Sequence, residues 1–185
     1  MVGSTKSPSV TKQYICDSTA LIDLREHFPK NFSTKLRKLV ADGKLLITDG
    51  VLREIRKKDD KLRKTLDRWS KKYHEFIISF SSKSATRLKE EYAELERKYG
   101  ESIIIGNKKH DGFWKSASGR RAADAQVVAA GKLLRAVVVS DDRAVKLACL
   151  LEGVECITWT EFARILGFIK PSLPDLFDSN ATSGR

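Results

Sequence analysis

The chain is poor in soft metal ligands: its 185 residues include three cysteines and three histidines. Cys16, Cys149 and Cys156 form no CxxC pair and sit among apolar neighbours (YIC, LACLL, VECI). That setting predicts buried, reduced thiols rather than disulfides or zinc ligands. His27, His74 and His110 are scattered, which leaves no HxxxH or His/Cys metal site. No apolar run approaches the roughly 20 residues needed to cross a bilayer, so no membrane association is expected. Residues 1–13 (MVGSTKSPSVTKQ) lack the apolar segment of a secretory signal and read as a flexible polar leader, with a cytoplasmic location as the expectation. Neither GxxxxGKS nor GxGxxG occurs, which argues against nucleotide-binding folds.

Negative charge is also in short supply. Thirty-five Lys and Arg stand against 24 Asp and Glu, a formal charge of +11. A basic excess of this size favours an acidic partner, and nucleic acid is the commonest one. With 41% hydrophobic and 32% charged residues the composition is that of a soluble globular chain, and the length suits one core.

Short apolar blocks alternate with amphipathic stretches. YIC (14–16), KLLIT (44–48), FIISF, AVVVS and VECIT read as strands. Between them STALIDLREHF, FSTKLRKLVADG, DGVLREIRKK, SATRLKEEYAELERKYG, RRAADAQVVAAGKLL and DDRAVKLACLLEG read as helices, with TEFARILGF as a short last one. The helical signal from Asp49 runs on through KLRKTLDRWSKKY, while SIIIGNKKHDGFWKSASG looks irregular after its apolar start. Val- and Ile-rich strands alternating with helices predict an α/β fold, a three-layer α/β/α sandwich on a central parallel sheet. The expected domain spans 14–170, with a helical insertion and basic loop at 57–119 and a flexible polar tail at 171–185.

In such a sheet ligands bind beyond the carboxyl ends of the strands. Asp17 lies just past the first strand, and Asp141 and Asp142 lie just past AVVVS. Glu54 falls about one and a half turns into the helix after LLIT. Asp124 is near the start of the helix that leads into AVVVS, which begins at the same edge. Two unit charges about 4 Å apart repel by roughly 4 kcal/mol at an effective dielectric near 20. Four acids on one edge therefore call for protonation or a cation. All-oxygen ligands favour Mg²⁺ or Mn²⁺, whose chemistry suits phosphodiester hydrolysis.

The ordered set DSTAL (17–21), Glu54 in VLREI, Asp124 in AADAQVVAAG and VVVSDD (137–142) resembles the PIN-domain ribonucleases over residues 14–166. The resemblance implies a metal-dependent endoribonuclease with Asp17, Glu54, Asp124 and Asp142 as catalytic acids and metal ligands. Asp141, a helix N-cap candidate by position, could share the last place. Thr19 and Ser140 would orient the acids or their water. A toxin of a toxin–antitoxin pair, with an inhibitor protein that sets an Arg or Lys in the acidic cleft, is one implied role, and pairing as a homodimer another. The separation of 70 positions from Glu54 to Asp124 (124 minus 54) exceeds what small toxin-type members carry.

RNA contacts are expected from Arg53, Lys108, Lys109, Trp114, Lys115, Arg120 and Arg121, all basic or aromatic residues close to the acids or in the 57–119 segment. Each acid also has an ordinary explanation: Asp17 and Asp141 as N-caps, Glu54 paired with Lys58, Asp124 complementing a helix start. Two rival functions follow, an RNA-binding module without chemistry and a phosphatase. The phosphatase pattern DxDxT is broken at Asp17-Ser-Thr, where threonine stands in place of the second acid.

Overall fold

The computed structural model describes residues 12–57, 60–100, 103–105, 107–110 and 123–170. Five parallel strands form the central sheet: β1 (Tyr14–Cys16), β2 (Leu45–Thr48), β3 (Ile77–Ile78), β6 (Val137–Val139) and β7 (Cys156–Ile157), in the order β3-β2-β1-β6-β7. The register sets Tyr14 against Leu45 on one side and Val137 on the other. Successive residues of a strand point to opposite faces, yet every residue of β2 and β6 is buried. Both faces of the sheet are therefore covered, as a parallel sheet requires.

Among the described residues eight helices supply the cover: α1 (Ser18–His27), α2 (Phe32–Ala41), α3 (Asp49–Ile55), α4 (Lys61–Lys72), α5 (Thr86–Leu95), α6 (Asp124–Leu134), α7 (Arg143–Leu151) and α8 (Trp159–Ile165). α6 packs on β1, β2 and β6 and carries α5 and α7 beside it, while α1 packs on α3 and α8, and α2 on β2 and α4. α6 is built for the tightest place. Its run from Ala125 to Gly131 is buried all round, and small residues let it lie close to the sheet. A Cβ at Gly131 would meet Val138 at 2.6 Å.

The expected sandwich is present, with three local differences. The helix foreseen from Asp49 through Tyr73 is two helices, α3 and α4, the second capped by Asp60 through the Arg63 amide. Segment 57–119 is more than an insertion, because it supplies β3, the edge strand beside β2. The stretch read as irregular contains an antiparallel hairpin, β4 (Ile103–Ile105) with β5 (Lys108–His110). Cys16 and Cys149 are buried free thiols, whereas Cys156, also expected to be buried, is half-buried. No helix among the described residues is long and apolar enough to cross a membrane.

The α5 layer is fastened by charge. Glu152, after α7, accepts hydrogen bonds from Lys132, Lys98 and Tyr99, and Lys132 also reaches Glu91. These contacts tie α5 and the π-turn Glu96–Gly100 to the ends of α6 and α7.

Candidate active site

The carboxyl ends of β1 and β6 are stitched together before any acid is considered. The Asp17 amide donates to the Val139 carbonyl (3.1 Å) and the Ser140 amide to the Ile157 carbonyl (3.0 Å). Asp17 is thereby fixed at the end of β1, in extended backbone, as the N-cap of α1. Its Oδ1 accepts the Ala20 amide at 2.6 Å, and its Oδ2 accepts a short hydrogen bond from the buried Ser140 hydroxyl. A cap of this kind contributes about 1 kcal/mol. The structural explanation of Asp17 is thus correct as far as it goes, and it leaves the carboxylate held at the site edge.

Ser140 joins two acids. While donating to Asp17 it accepts the Asp142 amide at 3.1 Å. Asp142 is the N-cap of α7, with Oδ1 accepting the Ala144 and Val145 amides. The cap assignment made for Asp141 is corrected here: Asp141 turns to the start of α8, where Oδ2 accepts the Trp159 amide at 2.9 Å and Oδ1 lies 3.8 Å from Lys146. The two adjacent aspartates point to different tasks because the chain between β6 and α7 is extended at Asp142.

Glu54 reaches the same edge from the third turn-forming segment, α3. Its Oε2 accepts the Ser18 hydroxyl at 2.8 Å and its Oε1 the Ala123 amide at 3.1 Å. The neighbour that orients an acid from α1 is therefore Ser18, while Thr19 is exposed with no hydrogen bond among the described residues. α3 and α6 are locked together one turn away, where the Gly50 amide donates to Gln126 Oε1 at 2.9 Å. A Cβ at Gly50 would lie 2.3 Å from that oxygen, so the approach requires glycine.

Asp124, the first residue of α6, is half-buried and accepts no hydrogen bond among the described residues. Burial pushes its carboxyl up to about 7, and the charges of Asp142, Glu54 and Asp17 add to the rise. Burial likewise raises Asp17 to about 6, against the hydrogen bonds from Ser140 and Ala20 and with help from Asp142 and Asp141. Asp124 thus feels the charges of acids from three other chain segments. Ser18 and Glu54 also line a cavity of about 130 Å³ with Ile22, Ile55, Asp60 and Leu62.

The donors are carboxylate and hydroxyl oxygens, a set suited to a hard divalent cation. Among the described residues Asp124 presents both oxygens unpartnered, and Asp142 keeps Oδ2 unused. Among the described residues no three acids stand close enough to share one ion as they are. The four form an open edge rather than a closed cage. Of the other expected contacts, Arg53 is exposed beside Glu54, and Lys108 and Lys109 lie on the β5 backbone. Trp114, Lys115, Arg120 and Arg121 lie outside the described residues.

Two residues at this edge escaped the sequence reading. Ser18 carries no signal that separates it from Thr19 except helix phase. Asp49, past β2, accepts the Phe80 and Ser81 amides and the Ser81 hydroxyl through Oδ2 and so closes the β3–α5 junction.

A family model described as "Domain of unknown function (DUF4411)" matches residues 14–168. No curated protein sequence matches the chain. Among solved structures, similarity extends to VapBC2 from Rickettsia felis bound to a promoter DNA fragment (20% identity, TM-score 0.43, covering 79% of this chain and 98% of that one). It extends also to DNA-bound VapBC from Salmonella typhimurium (14%, 0.45, 80% and 98%) and to the RRP44 PIN domain from T. brucei (13%, 0.44, 84% and 80%).

Proposed function

The chain belongs to the DUF4411 family, a domain of unknown function, and we propose that this member is a metal-dependent endoribonuclease of PIN type. The observation that supports the reading is that Asp124, at the sheet edge, feels the charges of Asp142, Glu54 and Asp17 in a protein with formal charge +11. Structural needs account for two of the four as helix caps, but not for Asp124, whose ionised form is disfavoured where it sits and satisfied by no neighbour among the described residues. A carboxylate kept at such a cost is characteristic of a functional site.

Asp124, Asp17, Glu54 and Asp142 would hold Mg²⁺ or Mn²⁺. A bound ion supplies an electrophile for the phosphodiester oxygen and lowers the pKa of water. The chain's own residues do the rest. Ser140 fixes Asp17 and the Asp142 backbone in one orientation, and Ser18 with the Ala123 amide fixes Glu54. Arg53 at the rim offers a cation to the phosphate chain. The finer role we assign is that of a toxin whose inhibitor protein sets an Arg or Lys among the four acids. Co-expression with the product of a neighbouring reading frame, scored by growth and co-purification, tests that role.

A second reading, an RNA-binding module without chemistry, is favoured by the open spacing of the acids. Calorimetric titration with Mn²⁺ separates the two. The nuclease reading expects saturable binding that the Asp124→Asn variant abolishes, whereas absence of binding to the parent chain refutes it.

A further inference from the structure

Between α2 and α4 lies a cavity of about 190 Å³ with aromatic and basic residues in its lining. Trp69 and Tyr73 line it together with Arg37, Arg68, Lys72 and Thr65. No acid lines it. Arg37 and Arg68 are exposed and make no ion pair among the described residues, and Lys72 rests over the Tyr73 ring at 5.5 Å. Asp67, the acid within α4, is turned away and engaged by Arg56 and Arg63. Among the described residues these three cations thus have no carboxylate partner around the cavity, although Asp67 lies one residue from Arg68.

The same helix leads from this cavity to the acidic edge. At 100° per residue, Lys61, Thr65, Arg68 and Lys72 fall within one arc of about 60°, whose centre lies about 100° round the helix from that of the buried Leu62, Leu66 and Trp69. The helix begins at Asp60, which shares the small cavity with Ser18 and Glu54. From there Arg68 lies about 12 Å and Lys72 about 18 Å along the axis at 1.5 Å per residue. That distance corresponds to about four or five stacked nucleotides at 3.4 Å each.

We infer that the cavity between α2 and α4 is a second nucleic-acid site, which grips the phosphates of a single RNA strand some nucleotides away from the bond at the acidic edge. The inference rests on the proposed RNA substrate, and it gives α4 a purpose beyond covering the sheet. The guanidinium groups of Arg37 and Arg68 bind phosphate, and the face of Tyr73 becomes available to a base when Lys72 swings to the strand.

Binding and cleavage are measured separately to test it. The affinity of the full chain for a fluorescent 12-nucleotide RNA is followed in EDTA across a salt series. An Arg37→Ala, Arg68→Ala double variant is compared with a charge-matched control, Arg87→Ala, Lys89→Ala on α5. The cavity variant is expected to bind more weakly and to lower the slope of log affinity against log salt by about 1.4, two contacts at about 0.7 each. The control is expected to change neither. With Mn²⁺ present, the cavity variant raises KM for the 12-mer while hydrolysis of a dinucleotide, too short to reach the cavity, stays at the parent rate. Equal losses in the two double variants, unchanged binding in the cavity variant, or no RNA binding by the parent chain overturns the inference. Binding that behaves as expected without any cleavage leaves this site standing and refutes the nuclease reading alone.

Discussion

Replacing Asp124 by Asn should make the protein more stable while removing its activity. The folded chain holds the Asp124 proton up to about 7, against an ordinary value of 3.8. About three units at ~1.36 kcal/mol each give an upper figure of about 4 kcal/mol against the ionised form. Solvent screening at this half-buried edge reduces that to roughly 2 kcal/mol. Between pH 3.8 and 7 the folded state binds more protons than the unfolded state, so stability falls as pH rises through that window. Above it the whole penalty is present. Asparagine carries no charge and escapes it. At pH 8 the variant should therefore melt about 4–8 °C above the parent, at 2–4 °C per kcal/mol for a chain of this size, and at pH 4 the two should nearly coincide. Added Mn²⁺ should raise the parent's melting temperature at pH 8 and leave the variant's unchanged. Calorimetric melts at the two pH values, with and without Mn²⁺, read all four comparisons. A variant no more stable than the parent at pH 8 would show that Asp124 is not held among repelling charges, and the electrostatic basis of the site would fail.

Gly50→Ala should cost about 1–3 kcal/mol in urea unfolding, because the new methyl group displaces Gln126 and breaks the Gly50–Gln126 bond. Ser140→Ala removes the donor that lowers the Asp17 carboxyl, so calorimetry should find weaker Mn²⁺ binding, with the deficit larger at pH 6 than at pH 8. Burial works to raise the Glu152 carboxyl, but hydrogen bonds from Lys132, Tyr99 and Lys98 outweigh it and hold the group at about 2. Its stabilising contribution is thus present above about pH 4.5 and is lost as pH falls towards 2. Glu152→Gln should destabilise by about 1–3 kcal/mol at neutral pH, with α5 amides exchanging faster, and the gap to the parent should narrow in acid melts.

How far the sequence revealed these features depended on the kind of signal each residue carried. Asp17 and Asp142 were legible because an acid just past a Val- or Ile-rich parallel strand has only one edge of the sheet to occupy. Glu54 and Asp124 followed from counting turns on helices whose direction the strands dictate. Ser140 was legible only through the resemblance to the PIN-domain ribonucleases. Details set by rotation were not. Ser18 and Thr19 differ by 100° of helix phase, and the structure joins Ser18 to Glu54. Asp141 and Asp142 differ by one step of extended chain, which sends one carboxylate to Trp159 and leaves the other capping α7. The hairpin at 103–110 was hidden because one of its strands is lysine-rich, so its polar residues read as loop. The basic cavity needed tertiary structure, since Arg37 on α2 and Arg68 on α4 meet only when the two helices pack.

The central claim is most directly tested by incubating a mixed RNA pool with the parent chain, Asp17→Asn and Asp124→Asn, in Mn²⁺ and again in EDTA. Fragments should accumulate with the parent in Mn²⁺ alone, and both variants should cut at least about 100-fold more slowly while remaining folded by circular dichroism. Cutting that persists in EDTA, or that proceeds at the parent rate in both variants, would contradict the assignment of these carboxylates to a metal-dependent nuclease.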